Sequence, residues 1–271
     1  MMTIEELHTN PAYQDALVDL LYQLADDDFI VAYRGSEWLG LAPHIEEDVA
    51  FSSISQDTMG HATMLYELLE SIGEGDANAL AHARKADERK NAILLEMVNG
   101  SGTYLQEPKY DWAFAVVRHY CYTLAKTIKM KSLQQSSFEP LAQLAVKINM
   151  ELHYHLLHWK TWFTQLMKIP GESQERMVAA WDRVMKDMKG VLALGSYEED
   201  LVKYNVMTNE TQLMHSWMQE MQSLISNYHL PIEVRLKMNS GNGRLGEHSK
   251  DLEDALNTLS SVYRIDPTAA W

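Results

Sequence analysis

The sequence predicts an all-α protein built around two long antiparallel helical hairpins. Apolar residues recur at spacings of three and four, Ala, Leu, Met, Glu and Lys dominate, and period-2 runs of β-branched residues are missing. The first helix is expected from about Ala12 to Leu39. The second runs from about Pro43, well suited to a first helical turn, to Ile72, where Gly73 and Gly75 stop it. Roughly thirty residues of helix span about 45 Å, so the tight turn from Gly40 to Pro43 obliges the pair to run antiparallel as one half of a bundle. The pattern then repeats. Helices at about Tyr110–Gln134 and Glu139–Met167 form a second hairpin, broken at QQSSFEP and stopped at Pro170-Gly171. Between the hairpins a shorter helix, about Asn78–Met97, precedes the loop VNGSGTYLQEP. Two or three more helices are expected, near Glu172–Lys189, Asn209–Tyr228 and Ser249–Arg264, with the loop LPIEVRLKMNSGNGRLGEH before the last. The expected organisation is one domain, a core bundle over about 12–168 with a helical extension over about 171–271.

Composition sets limits on function. A chain of 271 residues, 46% hydrophobic and 23% charged, can bury a large core. A net charge of −15 and a pI near 5.1 oppose binding to nucleic acid or anionic membrane, which depends on clustered Lys and Arg. The acidic start MMTIEELHTNPAYQD has no apolar signal core, and no stretch of about 18 apolar residues occurs, so a cytoplasmic protein without a membrane span is expected. Cys121 is the one cysteine, which excludes an internal disulfide; among Tyr120, Tyr122 and Leu124 it reads as a buried, inert thiol.

Asp57 and His61 lie four apart in QDTMGH, and Glu151 and His155 lie four apart in MELHYH. A ferritin-like di-metal site takes a Glu-x-x-His pair, spaced i to i+3, from each of two helices and one carboxylate from each of the other two. Here Gly60 and Tyr154 stand at the i+3 positions, and neither replaces an imidazole. On the first helix Asp26 is the acid expected to point inward, because counting from the turn puts it level with Asp57; the rest of the run Asp26-Asp27-Asp28 reads as a solvated face. On the third helix the level of Glu151 falls near Cys121, where VVRHYCYTLAKTI has no carboxylate. Asp111 is about 15 Å further along the axis. Asp26, Asp57, Gly60, His61, Glu151, Tyr154 and His155 are therefore expected to mark a degenerate di-iron site that holds no metal, with no catalytic residue and no cofactor bound by this chain. Two rival readings use the same residues. One is an oxidase of the di-iron or di-manganese type whose i+4 histidines reach the metals through a π-bulge. The other is a mononuclear zinc site on Glu151, His155 and His158, which share a helical face. Trp38, Trp112, Trp159, Trp162 and the sixteen methionines read as packing.

The run GSEWLGLAPHIEEDVAFSSISQDTMGHA resembles the Glu-Trp-x-Gly-x-Ala-Pro segment, acidic helix and Asp-x-x-Gly-(His or Gln)-Ala pattern of the PaaC family, ferritin-like subunits of bacterial phenylacetyl-CoA epoxidase. Glu151, Tyr154 and His155 resemble that family's fourth helix, and the tail through His248-Ser249 to Trp271 resembles its last, so the likeness spans nearly the whole chain. The loop NSGNGRLGEH departs from the family by being poorer in lysine and glycine. The resemblance implies a multicomponent monooxygenase that epoxidises the aromatic ring of phenylacetyl-CoA with O₂. A homologous catalytic subunit would hold the di-iron centre and a separate reductase would supply electrons. This chain would then be the non-catalytic structural partner, packed against the catalytic subunit and other epoxidase components. Separately, 46% hydrophobic residues and seven tryptophans on long helices are expected to leave an apolar face through which the isolated chain self-associates, a homodimer being one such form. Arg235, Lys237, Arg244 and Lys250 around the late loop become candidate contacts for coenzyme A phosphates or for a partner, with ordinary solvated charges as the alternative.

Overall fold

The computed structural model describes residues 3–103, 105–231 and 236–269. The fold is all-α and ferritin-like, carried by two long helical hairpins. The described chain divides into two compact units, one over residues 3–98, 195–197 and 241–269 and the other over residues 99–194 and 198–240. Both units draw on the C-terminal third of the chain. Among the described residues no helix is long and apolar enough to cross a membrane.

The first unit opens with the short α1 (Ile4–Leu7) and the long α2 (Pro11–Ser36). Asn10 caps α2, its Oδ1 accepting the Tyr13 N–H at 3.3 Å, and Pro11 takes the first turn, where its missing N–H costs nothing. The chain turns at Gly40, whose positive φ of 78° suits glycine and whose N–H donates to Asp48 Oδ1 at 2.6 Å, and returns as α3 (Ile45–Ser71). Gly35 sets the register of this hairpin: a Cβ there would lie 2.9 Å from the Phe51 ring and closer still to Ser55 Oγ. Phe29 meets Tyr66 edge to face at 5.9 Å.

The helix expected at Asn78–Met97 is not continuous. The chain forms α4 (Ala77–His82), a 3₁₀ turn at Ala86–Glu88 and α5 (Ile93–Glu96). The reason lies in the acids of α2. The N–H groups of Lys90 and Ala92 donate to Asp26 Oδ2 and Asp27 Oδ1, both at 2.8 Å, so the backbone here serves carboxylates rather than a helical ladder.

The second unit begins with an antiparallel hairpin, β1 (Gly100–Thr103) and β2 (Gln106–Tyr110), in the segment expected to be a loop. Gly100 allows the close approach, since a Cβ there would collide with the Lys109 carbonyl and would lie 2.9 Å from Tyr110 Cα. Asp111 then caps α6 (Trp112–Leu133), accepting the Ala113 N–H at 3.0 Å, and α7 (Glu139–Lys168) folds back along it. After Gly171 come α8 (Glu172–Met185), α9 (Met188–Leu192), α10 (Glu198–Lys203) and α11 (Glu210–Tyr228). The helix expected to reach Lys189 stops at Met185, and the Asp187 carboxylate beyond it receives the N–H and hydroxyl of Ser240 at 2.8 and 2.9 Å. Trp181 stacks on Trp217 at 6.4 Å, and Trp217 Nε1 donates to the Cys121 carbonyl at 3.2 Å. Cys121 is fully buried and burial pushes its thiol far up, which makes it the inert thiol expected. The last helix, α12 (Lys250–Leu259), belongs to the first unit and packs on α2 and α5.

Candidate functional site

Gly60 and Tyr154 do not face inward. A side chain added at Gly60 would meet nothing within 4 Å, and Tyr154 is 71% exposed. His61 and His155, one position later, are buried, while Asp57 and Glu151 are half-buried. The i+3 position that a Glu-x-x-His ligand pair needs is thus turned to the surface on both helices. In the α6–α7 hairpin the rings of His119 and Trp159 lie 4.9 Å apart, so Glu151, eight residues before Trp159, is level with about Thr127. The buried ionisable residues of α6 within about one turn of that level are Lys126 and Lys129. No buried carboxylate of α6 lies at this level among the described residues. Among the described residues no three His, Cys, Asp or Glu side chains are grouped as a metal ion requires, and the trio Glu151, His155 and His158 forms no such group. The residues present do not fit a di-iron centre.

The acidic run on α2 is not a solvated face. Asp26, Asp27 and Asp28 are all buried. Asp26 does not sit level with Asp57 either. Gly35 lies against Ser55, so Asp26 is opposite about residue 64, some two turns or about 10 Å beyond Asp57. Counting from the turn fails because the close contact at Gly35, not the midpoint of the loop, fixes the register. Asp26 is instead gripped by the broken segment after α4. Arg84 engages both its oxygens, Arg89 Nη1 donates to Oδ1 at 3.2 Å, and the Tyr66 hydroxyl donates at 2.6 Å. Burial alone would raise the carboxyl, but the charges of Arg84 and Arg89 outweigh it and hold Asp26 down at about 2. Burial and the Asp26 charge push Tyr66 up, keeping its hydroxyl a donor.

Asp27 is held from the far end of the sequence. Arg244 Nη1 and Nη2 donate to its two oxygens, each at 2.8 Å, and Nη1 also reaches the Lys90 carbonyl at 2.7 Å. Arg244 is 1% exposed, which corrects its reading as a surface contact for coenzyme A or a partner. Its guanidinium is consumed by Asp27 because a buried carboxylate without a cation would be far costlier. Lys237 and Lys250 are exposed but belong to different units, and Arg235 lies outside the described residues.

Beside this pair, the fully buried Glu96 accepts from Asn91 Nδ2 at 2.9 Å, from the Ser249 N–H at 2.7 Å and from His248 Nδ1 at 2.8 Å. The other ring nitrogen of His248 faces the Arg89 carbonyl at 3.0 Å, so both nitrogens address acceptors. Burial works against a charged ring, yet the hydrogen bond to Glu96 and its charge prevail and raise the His248 pKa above its ordinary value. Sequence reasoning missed Arg84, Arg89 and Glu96. The dense cations of HARKADERK are the available signal, since three acids on one helix need such a source of charge. Taken together, these side chains make a largely buried clasp of paired charges, whose chemistry is to hold α2, the broken segment and the late loop to one another.

A sequence model described as "Phenylacetic acid catabolic protein" matches residues 1–271. The chain is also similar to the C subunit of the 1,2-phenylacetyl-CoA epoxidase of Escherichia coli (strain K12), at 24% identity over 250 residues, covering 92% of this chain and 96% of that protein. The family match runs through both hairpins and through the late loop that carries Arg244 and His248. The chain belongs to the phenylacetic acid catabolic protein family.

Proposed function

We propose that this chain is a non-catalytic structural subunit of a phenylacetyl-CoA epoxidase, packing against and stabilising a homologous subunit that holds the di-iron centre. The observation that carries the reading is the buried Lys126 at the level of Glu151, where a di-iron protein would place a ligand carboxylate. A buried ammonium there offers one positive charge to the remaining acids, and it makes entry of a metal cation unfavourable. The outward Gly60 and exposed Tyr154 support the same conclusion. The family match, and the similarity to a subunit of the Escherichia coli epoxidase, support a place in phenylacetate catabolism and in such a complex. Iron and oxygen chemistry would lie in the partner, with electrons from a reductase component. The test is co-expression with the other epoxidase subunits, followed by elemental analysis of this chain alone and of the complex. The expected result is well under one equivalent of iron in the isolated chain and an active complex only when it is present. Two tightly held irons in the isolated chain would favour an oxidase in its own right.

A further inference from the structure

The outer face of α7 carries an unpartnered apolar stripe. Val146, Met150, Tyr154 and Leu157 are 48%, 69%, 71% and 57% exposed, at spacings of four, four and three that put them on one side of the helix. Along the edges of this face run Lys147, His153, Lys160 and Lys168, with the half-buried Glu151 as the one acid beside the stripe and no acid among the exposed residues of α7. In a chain of net charge −15 this is a local reversal of sign. We infer that this face of α7 is the surface that docks the homologous catalytic subunit, through a helix presenting an apolar stripe edged by Asp and Glu.

Two physical arguments choose that occupant. An apolar row of this length is hidden from water in a working assembly, and a helix-to-helix contact is the geometry its heptad-like spacing fits. The basic edges then choose the sign of the partner, because charges at the rim of an interface select by complementarity. A twofold pairing of two copies through this face would set the His153–Lys160 edge against its own copy, which disfavours the homodimer here. Four side chains are the centre of an interface and not its whole extent, since a stable one covers about 800 Å² on each partner.

This inference rests on the reading of the chain as an epoxidase subunit, and the experiment separates the two. Met150→Glu and Leu157→Glu, both at exposed positions, are made singly in the full chain, and affinity for the purified catalytic subunit is measured at low and moderate salt. The expected result is at least a tenfold weaker Kd for each with unchanged helix content and Tm, and a Lys147→Glu, Lys160→Glu double variant whose binding falls and loses most of its salt dependence. Wild-type binding by Met150→Glu and Leu157→Glu would overturn the α7 surface while leaving the subunit reading intact. No binding by the wild-type chain would overturn both. If the variants abolish a homodimer in sedimentation but bind the catalytic subunit normally, the face belongs to a second copy and the inference is wrong.

Discussion

Arg244→Met removes both hydrogen bonds to Asp27 and the one to the Lys90 carbonyl, leaving a carboxylate that is 2% exposed with the Ala92 N–H as its remaining donor. Breaking a buried ion pair from one side costs about 3–5 kcal/mol, a large share of a stability that is typically about 5–15 kcal/mol. The urea midpoint followed by circular dichroism is expected to fall by on the order of 1 M or more. The late loop should also become sensitive to protease, because Arg244 is what ties it to α2. The double variant Asp27→Leu with Arg244→Met strands no charge and is expected to recover most of the loss. A stability for Arg244→Met within about 1 kcal/mol of wild type, or a double variant less stable than the single one, would refute the claim that this pair is a buried, mutually dependent clasp.

Acid should weaken the first unit through Asp26. Its folded value of about 2 lies below the ordinary 3.8, so its contribution of roughly 2 kcal/mol is present above pH 3.8 and is lost as pH falls toward 2; acid titration of Asp26→Asn should lack this component. His248 acts with the opposite sign: its raised pKa gives a contribution complete below pH 6.5 and lost as pH rises through the folded value, so stability should decline from neutral toward alkaline pH in wild type but not in His248→Gln. Lys126→Met should cost about 3 kcal/mol by leaving Glu151, the acid at its level, short of a cation, and unlike wild type this variant should gain stability as pH is lowered into the carboxylate range; a flat pH response would count against the idea of a counter-charge there. Cys121 should resist thiol reagents in native protein for as long as the fold is closed and react fully in denaturant.

Much of the helical framework is legible in the sequence because its signals are local. The Gly73 stop after α3 and the Pro170-Gly171 stop after α7 each act within a turn of their own position, and the structure uses them in place. The broken stretch from Ala83 to Ala92 is not legible. Its periodicity suits a helix, but carboxylates on α2 compete for its N–H groups, and that competition comes from residues more than sixty positions away. The site divides in the same way. Burial of Asp26 follows from the amphipathic pattern, whereas its partners Arg84 and Arg89 sit in a segment with no fixed geometry of its own. Arg244 stands in a glycine-rich loop, where an arginine ordinarily reaches solvent, and nothing nearby in sequence discloses the acid it serves. Gly60 and Tyr154 are recognisable from sequence as wrong residue types for ligands; that they also point the wrong way depends on which face of each helix is covered, a tertiary fact.

The pairing of Asp27 with Arg244 joins residues 217 positions apart, and that separation has a consequence in time. At a synthesis rate of about 5–20 residues per second, roughly 10–40 s pass between the appearance of the carboxylate and the appearance of its guanidinium. During that interval α2 and α3 can form, but Asp27 must stay hydrated, because folding it inward without a counter-charge is unfavourable. The N-terminal hairpin is therefore expected to close only after the segment beyond residue 240 has been made, and a nascent or truncated chain lacking that segment would keep an open, sticky hairpin. Ribosome-bound intermediates of this chain are accordingly expected to depend on chaperones until Arg244 has emerged.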